Sequence, residues 1–228
     1  MNSTALILFG RYPHPGKVKT RLAATTGDEF AADIYKACCE HIFDEFETIG
    51  GTLQRFFFYS DGSDGPLAER WPPPSYSCVP QHGRDLGERL SNASAFAFER
   101  GFHRCIITGT DVPDVSGDLI KNAIDSLETV DLVIGPARDG GYYLLGTRTH
   151  MPEVFQDIAW SCDTVLADTL RSARRLGMSS ILLPELVDLD TEGDLQAWLH
   201  SKTAGGESHH PLFSLLRRSW SFKEQESI

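Results

Sequence analysis

Four cationic side chains are concentrated in one short segment of an otherwise acidic chain. They are Arg11, Lys17, Lys19 and Arg21, and the formal net charge of the 228 residues is -11. No acidic residue precedes Asp28. Clustered cations focus positive potential even on an acidic protein, and lysine and arginine both bind phosphate oxygens. The segment therefore indicates a site for a phosphate-rich ligand, with a solvated basic turn as the alternative.

The loop that carries these cations follows an apolar run at residues 5–9 and is rich in proline and glycine. A strand, such a loop and then a helix form the place where open α/β sheets bind ligands. Five residues separate Gly10 from Gly16, and Val18 follows Lys17. A Walker-type ATPase loop has a shorter glycine spacing and a serine or threonine after its lysine. The loop matches neither that motif nor the dinucleotide fingerprint.

A single aspartate, Asp111, follows a second apolar run at residues 104–108. An acid at the carboxyl end of a strand can hold a divalent cation that bridges phosphate oxygens, and Mg²⁺ needs only one or two protein carboxylates. The alternative is a turn carboxylate that accepts hydrogen bonds from nearby amides before Pro113. Because cations and a carboxylate at neighbouring strand ends form the two halves of a metal–phosphate site, we predict that Asp111 binds a metal.

Two adjacent glycines and an aspartate follow the apolar run at residues 132–135. Gly140 and Gly141 allow the backbone to approach a ligand closely, and Asp139 can bind a sugar or acceptor hydroxyl or act as a second carboxylate. An Asp-Gly pair is equally a hairpin turn signal, and the two roles are compatible. Further along, Trp160 either covers the site or packs beside a helix start.

Two more polar segments adjoin predicted helices. Gln81, Gly83 and Asp85 enter a helix whose unpaired amides can contact a nucleotide or acceptor, although an N-cap is the simpler role for Asp85. Asp188 or Asp190, before the last predicted helix, supplies a second metal ligand, or this segment only caps that helix.

Apolar runs alternating with amphipathic helical segments must position all of these residues. The helical segments include candidate N-caps at Asp28 and Ser116. Strands that are apolar on both faces and alternate with helices predict a three-layer α/β/α sandwich around a mainly parallel sheet. The predicted strands cover residues 4–9, 55–59, 76–79, 104–108, 132–135, 142–145 and 180–183.

Length and composition set the remaining limits. With 41% hydrophobic and 23% charged residues, we expect one domain over residues 1–200, followed by a polar linker and a tail or docked helix over residues 201–228. Five scattered cysteines indicate neither a disulfide framework nor a zinc site.

The acidity of the chain argues against nucleic-acid binding. No apolar run approaches the ~20 residues of a membrane span, and the first residues make a poor secretory signal, so we expect a cytoplasmic protein of unspecified oligomeric state.

Taken as a set, these segments resemble the bacterial and archaeal proteins of the DUF2064 type, within the nucleotide-diphospho-sugar transferase (glycosyltransferase GT-A) superfamily. The resemblance implies a Rossmann-like α/β/α fold whose first loop holds a nucleotide, with Asp111 near Mg²⁺ or Mn²⁺. The chain is more distantly similar to molybdenum-cofactor and phospholactate guanylyltransferases. It departs from many sugar transferases in having one aspartate instead of Asp-x-Asp, and Cys162 stands where a threonine is expected. The matching segments are residues 9–22, 83–90, 109–113, 135–146, 160–161 and 188–195.

The sequence therefore predicts a metal-dependent transferase that uses a nucleotide-sugar or nucleoside triphosphate donor and a small-molecule acceptor, without a covalent enzyme intermediate. Glycosyl transfer is the leading reaction. Nucleotidyl transfer and a non-catalytic nucleotide-binding module are the alternatives, and a hydrolase is disfavoured because only one carboxylate is well placed. The nucleotide-binding assignments are Gly10, Arg11, Pro15, Gly16, Lys17, Lys19, Arg21, Gln81, Gly83, Asp85, Gly109 and Thr110. The metal is assigned to Asp111 and Asp190, the acceptor or sugar to Asp139, Gly140, Gly141 and Trp160, and catalysis to Lys17, Lys19, Asp111 and Asp139.

Overall fold

A computed structural model describes residues 3–60 and 65–205, together with Leu212, Phe213, Leu215 and Leu216. Every strand predicted from an apolar run is present, with end points that differ by at most two residues. The strands are β1 (Thr4–Gly10), β2 (Leu53–Tyr59), β3 (Tyr76–Pro80), β4 (Arg104–Thr108), β5 (Leu132–Pro136), β6 (Tyr142–Thr147) and β7 (Ser180–Leu182).

The helices of the described residues include the predicted amphipathic ones and some short additions. They are α1 (Thr20–Thr26), α2 (Asp28–Glu47), α3 (Gly65–Ala68), α4 (Leu86–Glu99), α5 (Gly117–Ser126), α6 (Val165–Arg175) and α7 (Glu192–Ala204), with a 3₁₀ turn at Pro152–Phe155. Ser116 caps α5 as predicted, because its side chain accepts a hydrogen bond from the Leu119 amide. Asp28 is not an N-cap: it is the first residue of α2, and Gly27 occupies the cap position.

The strands form one sheet in the order β3-β2-β1-β4-β6-β5-β7. All neighbouring strands are parallel except that β6 runs antiparallel to both β4 and β5. Within the sheet, β2 lies on one side of β1 and β4 lies on the other side. In the parallel register Leu8 of β1 lies beside Thr108 of β4, so the segments that follow these two strands emerge at the same edge. That is the crevice in which open α/β sheets bind ligands.

Both faces of the sheet are covered, which confirms the Rossmann-like α/β/α sandwich. Successive side chains of β1 alternate between the faces, with Leu6 and Leu8 in one core cluster and Ala5 and Ile7 in the other. Helices α2 and α5 contribute to the first cluster, and α4 and α6 to the second. All strand positions from Ala5 to Leu8 are therefore buried, as the unbroken apolar run requires.

A third apolar cluster joins α1, α2 and α7 to part of the carboxyl-terminal segment. Leu22, Ile34 and Trp198 belong to it, as do Leu212 and Phe213. Helix α7 continues to Ala204, past residue 200. The division into residues 1–200 and 201–228 stays a prediction, because residues 206–211, 214 and 217–228 lie outside the described residues.

Two of the composition-based expectations can be compared directly with the structure. All five cysteines are free thiols, and Cys38, Cys39 and Cys105 are buried, as free cysteines commonly are. Within the described part of the chain, no helix is long and apolar enough to cross a bilayer.

Candidate active site

A cavity of about 520 Å³ opens at the carboxyl ends of β1 and β4. Its walls come from the loop after β1, from the segment after β4 and from the first turns of α4. Ten of the residues assigned from the sequence line this cavity. They are Gly10, Arg11, Lys17, Lys19, Arg21, Gln81, Gly109, Thr110, Asp111 and Asp190.

Lys19 is the structural centre of this cavity. Its side chain is only 2% exposed, and its ammonium lies 2.6 Å from Asp111 Oδ1 and 3.1 Å from Asp190 Oδ1. The basic loop and the aspartate about ninety residues later in the chain therefore meet in space, as the sequence reasoning requires. Arg21 lies at the rim, with its guanidinium 3.9 Å from Asp190 Oδ2.

The two carboxylate partners of Lys19 stabilise its charged, protonated form. Burial alone would lower the pKa of the ammonium, but the charges of Asp111 and Asp190 and the hydrogen bond to Asp111 outweigh burial and raise the pKa above its usual value. Lys19 also adopts a left-handed backbone conformation, with φ 46° and ψ 46°. Such a conformation costs roughly 1–3 kcal/mol in a non-glycine residue and is concentrated at functional sites.

Asp190 is positioned by the start of α7. The N-cap of α7 is Thr191, whose hydroxyl accepts from the Asp194 amide at 3.2 Å, while Asp194 Oδ2 accepts from the Thr191 amide at 2.8 Å. This reciprocal capping box leaves the Asp190 carboxylate available for Lys19. The backbone oxygen of Asp111 accepts from the Leu189 amide at 3.0 Å, which ties the two carboxylate-bearing segments together.

The two carboxylates fit a divalent cation bound jointly with phosphate. Oxygens of Asp111 and Asp190 both lie within 3.1 Å of one point, the Lys19 ammonium, so the structure itself places a cation between them. Among the residues that the structure describes, no cluster of three or more histidine, cysteine, aspartate or glutamate side chains could hold a metal by itself. A pair of carboxylates is enough for Mg²⁺, which commonly binds one or two carboxylates together with water and substrate phosphates.

Sequence reasoning missed Tyr35, which is buried on α2 and lines the cavity. Its hydroxyl accepts from the Arg11 amide at 3.0 Å and lies 2.9 Å from Thr110 Oγ1, which lies 3.4 Å from the Phe9 carbonyl oxygen. Either hydroxyl can donate in the Tyr35–Thr110 hydrogen bond. This relay joins the loops after β1 and β4. A tyrosine on the buried face of a helix, whose hydroxyl needs a partner, was the available signal.

Arg89 on α4 is the second residue that sequence reasoning missed. It lines the cavity, and its Nε donates to the Gly83 carbonyl oxygen at 3.2 Å. A Cβ at Gly83, where φ is +141°, would lie 2.7 Å from the Arg89 amide nitrogen. Gly83 therefore supports the cavity wall without lining it. The cavity also has apolar walls, to which Leu86 and Leu90 of the same helix contribute.

Four further assigned residues lie outside the cavity lining, in the loops before α1 and α4. Pro15 and Gly16 belong to the loop after β1, where Gly16 has a φ of +76° that favours glycine. Asp85 caps α4, since its Oδ1 accepts from the Glu88 amide at 2.8 Å. Asp85 therefore has the N-cap role in the structure, and Gly83 has the packing role given above.

The residues assigned to the acceptor or sugar have packing roles around the β5–β6 hairpin. Asp139 Oδ1 accepts from the Gly141 amide at 2.8 Å, as in a tight turn. Gly140 has a φ of +89°, and a Cβ there would lie 2.1 Å from the Asp163 carbonyl oxygen. The Trp160 indole packs on Gly87 of α4, where an added Cβ would lie 2.4 Å from its Nε1. None of these four residues lines the cavity.

The chain matches known proteins in sequence and in fold. The family model DUF2064, described as an uncharacterized protein conserved in bacteria, matches residues 49–162. A crystal structure from Desulfovibrio desulfuricans G20, of a protein whose proposed activity is that of a nucleotide-diphospho-sugar transferase, is 32% identical with a TM-score of 0.90, over 99% of this chain and 98% of that one. No curated protein is detectably similar in sequence.

More distant structures share the fold alone. 4-Diphosphocytidyl-2C-methyl-D-erythritol synthase is 10% identical with a TM-score of 0.58, over 87% of this chain and 98% of that one. CMP:2-keto-3-deoxy-manno-octonic acid synthetase, in complex with CTP, is 9% identical with a TM-score of 0.54, over 89% and 99% of the two chains. The fold is that of nucleotide-diphospho-sugar transferases and nucleotidyltransferases, and the chain belongs to the DUF2064 family.

Proposed function

We propose that this protein is a metal-dependent transferase that acts on a nucleotide-sugar or nucleoside triphosphate donor. One observation carries the proposal: Lys19, Asp111 and Asp190 converge inside a cavity that is also lined by Arg11 and Lys17. Cations and carboxylates arranged in this way suit a diphosphate together with a divalent cation. The proposed activity of the relative that is 32% identical supports the same class of donor.

The residues of the chain would act mainly by positioning and by charge. Arg11, Lys17 and Arg21 bind the phosphate oxygens, and Asp111 with Asp190 holds the cation. When bound, the cation neutralises charge on the leaving phosphate groups. The Tyr35 relay keeps the loop after β1 at a fixed distance from Asp111, so that the acceptor oxygen meets an oriented donor. We leave Asp139 out of the reacting groups because its carboxylate bonds within its own turn.

Glycosyl transfer is our first candidate for the reaction because the proposed activity of the relative that is 32% identical is that of a nucleotide-diphospho-sugar transferase. Nucleotidyl transfer is the second, and the number of cations in the cavity favours it. Arg11, Lys17, Lys19, Arg21 and Arg89 all line the cavity, and a triphosphate carries more negative charge than a diphosphate ester. The acceptor is a small molecule in either case, and a cytoplasmic location stays a prediction.

Identification of the released phosphate product separates the two reactions. The protein is incubated with nucleoside triphosphates, UDP-sugars and GDP-sugars in the presence of Mn²⁺. A nucleoside diphosphate released from a sugar donor identifies glycosyl transfer, whereas pyrophosphate released from a triphosphate identifies nucleotidyl transfer. Turnover of no donor, with nucleotide binding intact, would instead support a non-catalytic nucleotide-binding module.

A further inference from the structure

We propose that Lys19 is an internal competitor for the metal site. Its ammonium takes the position between Asp111 and Asp190, and a divalent cation binds there only when Lys19 moves from the carboxylates to the donor phosphates. This inference rests on the metal-dependent function proposed above and adds the order of events at that site. It makes the binding of the cation and the binding of the nucleotide mutually dependent.

The distances argue that ammonium and metal exclude each other. Lys19 Nζ lies 2.6 Å from Asp111 Oδ1 and 3.1 Å from Asp190 Oδ1. A cation that uses both carboxylates must lie beside the same two groups, with its oxygen ligands at the roughly 2.0–2.1 Å typical of Mg²⁺. Two positive charges this close repel strongly in a partly buried site. The carboxylates therefore serve either Lys19 or the metal.

The place of Lys19 in the fold allows the exchange. Its backbone is fixed at the start of α1, where its carbonyl oxygen accepts from the Ala23 amide at 2.8 Å. Its side chain lines the same cavity as Arg11 and Lys17. The ammonium can therefore move within the cavity, toward the proposed phosphate position, while the helix start stays in place.

The energetics predict that a cation alone binds weakly. Lys19 is buried, and an ammonium that loses both carboxylates without a new partner is left uncompensated, which is strongly unfavourable. When the donor binds as well, its phosphates provide that partner. Binding of nucleotide and cation together is therefore favoured over binding of the cation alone, which is a coupling between two ligands at one site.

The test is a titration with Mn²⁺ alone, in which electron paramagnetic resonance measures the free ion. We compare the wild-type protein with Lys19→Met, and with Arg89→Met as the matched control. Arg89 lines the same cavity, but its Nε donates to the Gly83 carbonyl oxygen, and no carboxylate among the described residues forms an ion pair with it. We expect Lys19→Met to bind Mn²⁺ at least about tenfold more tightly than the wild type, and Arg89→Met to differ from it by less than about threefold.

Lys19→Gln is a second variant that keeps the test valid if Lys19→Met does not fold, because the glutamine amide can still donate to the carboxylates without carrying charge. Circular dichroism establishes which variants are folded, and Lys19→Gln should also bind Mn²⁺ more tightly than the wild type. Unchanged affinity in the folded Lys19 variants would overturn the competition, as would an equal gain in Arg89→Met. A different result would overturn the proposed metal-dependent function itself: no Mn²⁺ binding by wild type or variants, with GTP or UDP-glucose present or absent.

Discussion

At the scale of single residues, the Tyr35 hydroxyl is the group that links the two halves of the candidate site. It accepts from the Arg11 amide and shares a hydrogen bond with the Thr110 hydroxyl, so that the phosphate-binding loop and the Asp111 loop have a fixed separation. Burial raises the pKa of this hydroxyl well above its usual value, and the group therefore stays neutral over the whole working range of pH. We class Tyr35 as a positioning residue.

Tyr35→Phe removes that hydroxyl and keeps the ring. We expect a loss of about 1 kcal/mol in the free energy of unfolding and a rise in the apparent Kd for the donor, because the loop after β1 loses its anchor. Tyr59→Phe is the control, since its hydroxyl donates to Glu69 and the residue does not line the cavity. Chemical denaturation and nucleotide titration measure both quantities. Equal donor affinity in Tyr35→Phe and wild type would remove Tyr35 from the site.

The residues differ in how far the sequence could predict them. Lys19 and Asp111 were predicted because their charges and their places after apolar runs point to phosphate and metal. The pairing of Lys19 with both Asp111 and Asp190 was not predicted, since it depends on how α7 docks against the sheet. Asp139 had the right type of side chain, but its turn directs the carboxylate to Gly141, a choice that local geometry makes and composition does not reveal.

At the scale of elements, α4 is held in register by a glycine under the Trp160 indole. The close contact at Gly87 leaves no room for a side chain. We expect Gly87→Ala to lower the free energy of unfolding by about 1–3 kcal/mol, the usual cost of overpacking. Because α4 carries Leu86, Arg89 and Leu90 into the cavity, donor affinity should fall as well.

Gly193→Ala in α7 is the matched substitution. An added Cβ there has only ordinary contact with Thr191 Oγ1, at 3.6 Å. Alanine is the better helix former by about 0.5–1 kcal/mol, so this variant should be more stable than the wild type. Thermal or urea unfolding of the two variants gives the signs directly. Stabilisation by both substitutions would show that Trp160 does not constrain α4.

Long elements with a clear apolar period were predictable, and short ones were not. The strands, α2, α4 and α5 all follow from apolar spacing. Helix α1 has only seven residues and one fully buried side chain, Leu22, so that it carries no periodic pattern to detect. The direction of β6 followed from the turn signal at Asp139, whereas the position of β6 between β4 and β5 depends on sheet-wide packing.

At the scale of the whole molecule, the Asp131 carboxylate links the ends of three strands on the side of the sheet opposite the cavity. Asp131 directly precedes β5, Ser179 directly precedes β7, and Arg148 directly follows β6. Its Oδ2 accepts from the Ser179 hydroxyl at 2.7 Å and the Ser179 amide at 2.9 Å, and its Oδ1 accepts from Arg148 Nε at 2.8 Å. The Ser179 hydroxyl, the Ser179 amide and Arg148 lower the pKa of this carboxyl below its usual value. The folded state therefore prefers the ionised form.

The sign of the pH dependence follows from this lowered pKa. The contribution of Asp131 to stability is complete above the ordinary aspartate pKa and is lost as the pH falls through the lower folded value. Asp131→Asn should be less stable than the wild type by about 1 kcal/mol at pH 7, and the difference should shrink at acidic pH. Urea unfolding at a series of pH values measures it. A difference that is constant with pH would contradict this account.

The central claim is that the cavity binds a nucleotide donor through a cation held by Asp111. The most direct test measures thermal stabilisation by nucleoside triphosphates and nucleotide-sugars, with and without Mn²⁺. It compares the wild type, Asp111→Ala and the control Asp118→Ala, whose carboxylate is 86% exposed on α5. We predict that at least one nucleotide raises the Tm of the wild type and of Asp118→Ala in a Mn²⁺-dependent manner, and that Asp111→Ala loses this shift. An equal shift in Asp111→Ala, or no shift with any nucleotide, would contradict the claim.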